Sequence, residues 1–96
     1  MYGTIARLQV KPGMEANLQE EMKSYERLNI DGYVNTTVYK LDGKPNEYLM
    51  AVAFRDKASY EKNADSPDQD KRYQRFRAFL AGDPEWNDGE IIYSGK

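Results

Sequence analysis

The seven residues Tyr48-Leu49-Met50-Ala51-Val52-Ala53-Phe54 carry no charge at either parity, and this constrains the fold more than any other feature of the chain. Alternate residues of a strand point to opposite faces, so a strand apolar at both parities is covered above and below. It belongs in the interior of a sheet. The preceding run, residues 32–41, is also rich in β-branched and aromatic residues, but Asn35, Thr36, Thr37 and Lys40 interrupt it, as suits an edge strand with solvent contact. Between them Asp42-Gly43-Lys44-Pro45-Asn46 supplies a turn. The two runs form a β-hairpin, and the chain must find two covers for its second arm.

The rest of the chain provides one of them. Residues 2–10 alternate as a strand until Lys11-Pro12-Gly13 stops it, because proline cannot extend a ladder and glycine permits the turn. From Met14 the apolar spacing becomes helical, through Leu18, Met22, Tyr25 and Leu28. After the hairpin, Asp56 is placed to cap a short helix through Asn63. Beyond a break at Ala64-Asp65, Ser66-Pro67-Asp68-Gln69 has the form of a capping box and starts a second helix, with Tyr73, Phe76 and Leu80 as its buried stripe. Residues 90–94 make a last strand. The order βαββαβ is that of a ferredoxin-like α+β fold, an antiparallel four-stranded sheet of order 4-1-3-2 with the helices on one face. The opposite face has no cover within the chain. A second copy laid sheet to sheet would supply it, so a homodimer is expected.

Composition narrows the function classes. A chain of 96 residues has room for one domain, spanning residues 1–96. Leu, Ile, Val and Phe together number only 17, which makes the core modest and association a natural source of stability. With no cysteine there is no disulfide or thiolate chemistry, and with no histidine the commonest general base and metal ligand is missing. Neither this inventory nor any Gly-rich phosphate loop points to a metal or cofactor, and none is expected. The net charge of −2 and a pI near 5.1 leave no basic footprint for nucleic acid. The start has neither a basic lead nor a long apolar run, and no later segment is long enough to span a membrane; a cytoplasmic location is the expectation.

Three pieces then acquire meaning together: Val10-Lys11-Pro12-Gly13 leading into an amphipathic helix, the Ser66-Pro67 start of a helix with an aromatic stripe, and Pro84-Glu85-Trp86-Asn87-Asp88-Gly89 approaching the last strand. In this order the chain resembles the antibiotic biosynthesis monooxygenase (ABM-type) domains of the dimeric α+β barrel superfamily, over roughly residues 2–94. The resemblance implies two sheets closed into a barrel across a dimer. It also implies a range of activities, from cofactor-independent oxygenation of polycyclic phenols and quinols to haem degradation. Haem-degrading members use a histidine on the second helix with an Asn and a Trp. This chain has no histidine, and its one tryptophan follows the helix, so haem degradation by that mechanism is excluded. Quinol-type members also commonly carry helical histidines, and no family catalytic residue transfers to a position here.

Oxygenation without a cofactor requires that an electron-rich aromatic be bound, its phenolate or enolate favoured, and water excluded. Arg7, Asn35 and Tyr39 stand as catalytic candidates able to stabilise an oxyanion, with Arg7 the one charge inside the first strand. Asn35 and Tyr39 share a parity with Tyr33 and Thr37, which places all four on one face. Tyr48, Tyr73, Phe76, Arg77 and Trp86 stand as ligand-binding candidates, the eight tyrosines of the chain being suited to a pocket for aromatics or to a half-wet interface. Each has a plainer role: Asn35 on an exposed edge, Arg7 in an ion pair, Tyr73 and Phe76 in the core, Trp86 over the sheet end, Arg77 answering the helix dipole. An oxygenase acting on a small phenol or quinol, a non-catalytic small-ligand-binding protein and a purely structural dimer all remain open on the sequence.

Overall fold

A computed structural model of the protein describes residues 1–95. Its elements are β1 (Tyr2–Gln9), α1 (Glu15–Glu26), β2 (Tyr33–Lys40), β3 (Glu47–Phe54), α2 (Lys57–Ala64), α3 (Pro67–Arg77) and β4 (Asp88–Glu90). All neighbouring strands are antiparallel, in the order β2-β3-β1-β4, so the charge-free strand β3 is internal as its composition requires. One sheet face packs on the helices. There Ala6, Leu8 and Val10 from the first strand meet Tyr48 and Met50 from β3, and Leu18, Phe76 and Leu80 close over them. Each fully buried aliphatic or aromatic side chain in this cluster contributes about 1.5–3 kcal/mol.

Of the three helix starts only that of α2 has a side-chain cap; Met14 ahead of α1 makes no capping bond. Asp56 lies in extended backbone ahead of α2 and accepts a hydrogen bond from the Ser59 amide at 2.8 Å. Ser66 is also extended, with Pro67 at the first helical position, but its side chain makes no capping bond. The capping box is therefore not closed: Gln69 does not reach back, because its amide oxygen accepts from Arg72 Nε at 3.0 Å instead. Bonds to Asp56 hold its carboxyl at about 2, below the ordinary value of 3.8, the Ser59 amide contributing most. A carboxylate with a depressed folded pKa stabilises above its unfolded value, and that stabilisation is lost as pH falls through the folded one. Asp56→Ala should therefore melt lower than the parent near neutrality, with the gap closing between 3.8 and about 2. Melts recorded across that range check this, and a gap independent of pH would count against it.

Two strand readings need correction. Tyr33 pairs with Phe54 while Asn35 pairs with Ala53, so Val34 is an extra residue in a β-bulge. The bulge turns Tyr33 to the helix side, where its ring meets Tyr25 at 5.2 Å and Phe54 at 5.7 Å, and leaves Asn35, Thr37 and Tyr39 on the open face. Gly32, at φ +81°, makes this entry feasible, since a Cβ there would also strike the Ser59 side chain. The last strand is the second case. It spans Asp88–Glu90 rather than residues 90–94, because Glu90 already pairs with Tyr2 and the final backbone bond runs from Ile91 N to Met1 O. Residues 92–95 have no first strand left to pair with, and Ile92 and Tyr93 stand 94% and 83% exposed. Leu80 likewise lies past the end of α3, buried through a bridge to Val10 rather than as a helical residue.

Candidate functional site

The helices fill only part of the sheet face. α3 is polar along most of its length and buries Phe76 alone, so beyond the packed cluster the sheet floor of Thr4, Met50, Val52 and Phe54 is left under open space. The result is a cavity of about 430 Å³, within the roughly 300–1,000 Å³ of small-molecule sites. Met22 and Tyr25 of α1, Tyr60 and Asn63 of α2, and Arg72, Tyr73 and Phe76 of α3 form its walls, with Trp86 at its edge. Tyr73 lies 6.3 Å from Trp86 and 6.4 Å from Phe76, centroid to centroid, making one aromatic side. Trp86 is 45% exposed and so borders both cavity and solvent.

Two hydrogen-bonded groupings, together with the acids Glu21 and Asp70, interrupt this lining. The Tyr60 hydroxyl donates to Asp88 Oδ1 at 2.9 Å, joining α2 to the edge strand. Burial first, and then this bond to a carboxylate, raise the Tyr60 pKa, so its hydroxyl stays protonated. On the other side Arg72 donates to Gln69 Oε1 at 3.0 Å and to Asn63 Oδ1 at 3.3 Å, and its guanidinium lies 5.7 Å from the Tyr25 ring centroid. Asn63 Nδ2 donates in turn to the Tyr25 hydroxyl oxygen at 2.8 Å. Burial raises the Tyr25 pKa, against smaller opposing effects of the Asn63 bond and the Arg72 charge.

The sequence-derived candidates divide by position. Tyr73, Phe76 and Trp86 are brought together in the cavity wall. Tyr48 is on the helix side but at the other end of the sheet, donating to Glu15 at 2.5 Å; that bond, ahead of burial, pushes its pKa up to about 12. Arg77 is outside the cavity, with Nε on Asp83 Oδ1 at 2.8 Å and Nη1 on the Leu80 carbonyl at 3.1 Å. Arg7, Asn35 and Tyr39 are separated from the cavity by the sheet itself, since their parity faces away from the helices. Arg7 pairs with Glu47 at 3.5 Å, Tyr39 is exposed, and Asn35 borders a shallow depression of about 300 Å³ floored by Ala51 and Ala53. As a set, the catalytic candidates do not share a site with the aromatic ones. Tyr25, Tyr60, Asn63, Gln69, Arg72 and Asp88 were missed. Their one sequence signal is spacing: Tyr60 with Asn63, and Gln69 with Arg72 and Tyr73, recur at three and four along helices.

Among the described residues no three acidic or otherwise metal-ligating side chains converge, and no helix is long and apolar enough to cross a membrane. With a four-stranded antiparallel sheet and an aromatic-lined cavity beneath its helices, the chain has a ferredoxin-like α+β architecture. The sequence profile of the antibiotic biosynthesis monooxygenase family matches residues 1–78, and the protein belongs to that family. No curated protein matches its sequence. Among solved structures it is similar to a conserved protein of Methanosarcina mazei Go1, with a TM-score of 0.75 and 22% identity over 92% of this chain and 89% of that one. It is similar also to SnoaB, a cofactor-independent oxygenase of Streptomyces nogalater, with a TM-score of 0.79 and 16% identity over 97% of this chain and 94% of that one. At these identities the likeness is one of fold.

Proposed function

We propose that the protein is a cofactor-independent monooxygenase of a small phenol- or quinol-type aromatic, bound in the cavity between helices and sheet. The observation that carries this reading is the cavity itself, about 430 Å³, with the rings of Tyr73, Phe76 and Trp86 and the tyrosines Tyr25 and Tyr60 in its lining. Family membership and the described activity of SnoaB support the reaction type. In such a reaction the substrate supplies the electrons: a benzylic CH₂ of the phenol becomes C=O, one oxygen atom of dioxygen enters the product, and the other leaves as water. The protein must take the first proton. Tyr60 is placed to relay it, since its own proton already points at the Asp88 carboxylate. The apolar floor of Met50, Val52 and Phe54 keeps the anion dry while dioxygen reacts.

The same proposal includes a homodimer formed through the open sheet face, where Ile5 and Tyr39 are exposed and Leu49 is only half-buried. A second reading, ligand binding without turnover, is favoured by the absence of any histidine to act as base. Oxygen uptake with anthrone and naphthoquinol substrates, alongside ligand-induced shifts in melting temperature, separates the two. Uptake that survives dialysis against a chelator is the expected result. A thermal shift without uptake leaves the binding reading, and neither response would remove the cavity as a site.

A further inference from the structure

The hydrogen bonds around Arg72 have a direction, and it ends at an unmet need. Arginine only donates, so the Asn63 atom facing it is the carbonyl oxygen, and the Asn63 amide nitrogen is turned to Tyr25. That nitrogen also only donates, so the Tyr25 hydroxyl is the acceptor and keeps its own proton for another partner. No hydrogen bond from that hydroxyl is made within the described residues. Arg72 is in a parallel position. It is half-buried, its two bonds go to neutral amide oxygens, and Nη1 makes none among the described residues. The nearby acids are otherwise engaged or out of reach: Glu21 pairs with Arg75, Asp88 accepts from Tyr60, and no carboxylate, Asp70 included, lies within 4.0 Å of the Arg72 guanidinium among the described residues. A positive charge and a spare hydroxyl proton thus stand together in the lining of a cavity whose carboxylates are Glu21, Asp70 and Asp88.

Resting on the reading of this cavity as the ligand site, we infer that Arg72 and Tyr25 form an oxyanion-binding pair and that the protein selects aromatic ligands in their anionic form. The ligand's oxygen accepts from the Tyr25 hydroxyl and the free Arg72 nitrogen, while its ring lies toward Tyr73 and Trp86. The shared chemistry is an aryl ring bearing a singly charged oxygen. A carboxylate arrives with that charge; a phenol acquires it by losing its proton on binding.

Calorimetric titration with 2-naphthoate and with uncharged 2-naphthalenemethanol tests the charge preference, and a nitrophenol whose phenolate is coloured tests the proton loss. A charged hydrogen bond of ordinary strength predicts binding of 2-naphthoate about tenfold or more tighter than of the alcohol. It predicts an apparent pKa for bound nitrophenol lowered by about one unit. Arg72→Gln should level the two naphthalene affinities and abolish the shift while retaining the alcohol, whose binding also reports that the variant is folded. Arg72→Lys should keep part of the preference, and Tyr25→Phe should weaken it without reversing it. Equal binding of the two probes by the parent protein, or a preference that survives Arg72→Gln, overturns the inference and leaves the cavity reading in place. Binding of neither probe by the parent overturns the cavity reading, and the inference with it.

Discussion

Phe54→Ala should cost the fold about 3–5 kcal/mol, the usual loss for truncating a large aromatic in a packed interior. Phe54 is only 1% exposed, and its ring lies edge-on to Tyr33 at 5.7 Å and Tyr60 at 5.5 Å. Those contacts tie β3 to the bulged start of β2 and to α2, which have few other buried partners. Deleting the ring opens space continuous with the existing cavity, so neighbours have little reason to collapse inward. Small domains hold about 5–15 kcal/mol in all, and a chain with this few aliphatic residues belongs at the low end. Urea unfolding should show a large fall in midpoint with an unchanged slope. A loss under about 1 kcal/mol would mean that Phe54 packs less tightly than its burial implies.

Ala51→Glu should convert a dimer into monomer or unfold it, which is the largest effect expected of any single surface-parity change. Ala51 lies mid-strand on the open face, paired with Ile5 on one side and Thr37 on the other. In the next row Leu49 sits between Arg7 and Tyr39. If a second copy covers this face, the new carboxylate is buried without a partner, at a cost of several kcal/mol. Sedimentation equilibrium at micromolar concentration should give the parent about twice its 11.1 kDa chain mass. Glu20→Gln, on the exposed side of α1, should leave that mass unchanged. A well-folded parent at 11.1 kDa would remove the dimer from the proposal.

What the sequence revealed, and what it concealed, follows from the range over which each feature is decided. The interior position of β3 is written in seven consecutive uncharged residues, and the Asp56 cap in residues 56–59, so both could be read locally. The end of β4 depends on where a strand more than eighty residues earlier runs out, which no window around Ile91 contains. At Val34 one inserted residue reverses the parity of Tyr33, and nothing in Gly32-Tyr33-Val34-Asn35 distinguishes it from regular alternation. The aromatic wall was legible because Tyr73 and Phe76 belong to one helix. The polar side was not. It combines Tyr25, Asn63 and Arg72 from three helices, and the break at Ala64-Asp65 decides whether Asn63 and Arg72 meet. Arg7, Asn35 and Tyr39 stand out in the sequence as polar residues on strands, a property that also marks the solvent face of any half-covered sheet.

Trp86 at the cavity edge has a practical consequence. It is the chain's one tryptophan, so all of the indole emission originates at the boundary between cavity and water. Tyr73, 6.3 Å away, transfers excitation to it efficiently at that separation, and other tyrosines of the chain add to the same signal. Fluorescence spectroscopy therefore reads this cavity without a label: a ring sliding in beside Tyr73 would quench or blue-shift the band. A collection of candidate ligands can be ranked by that colour change alone, on unmodified protein, before any turnover assay exists.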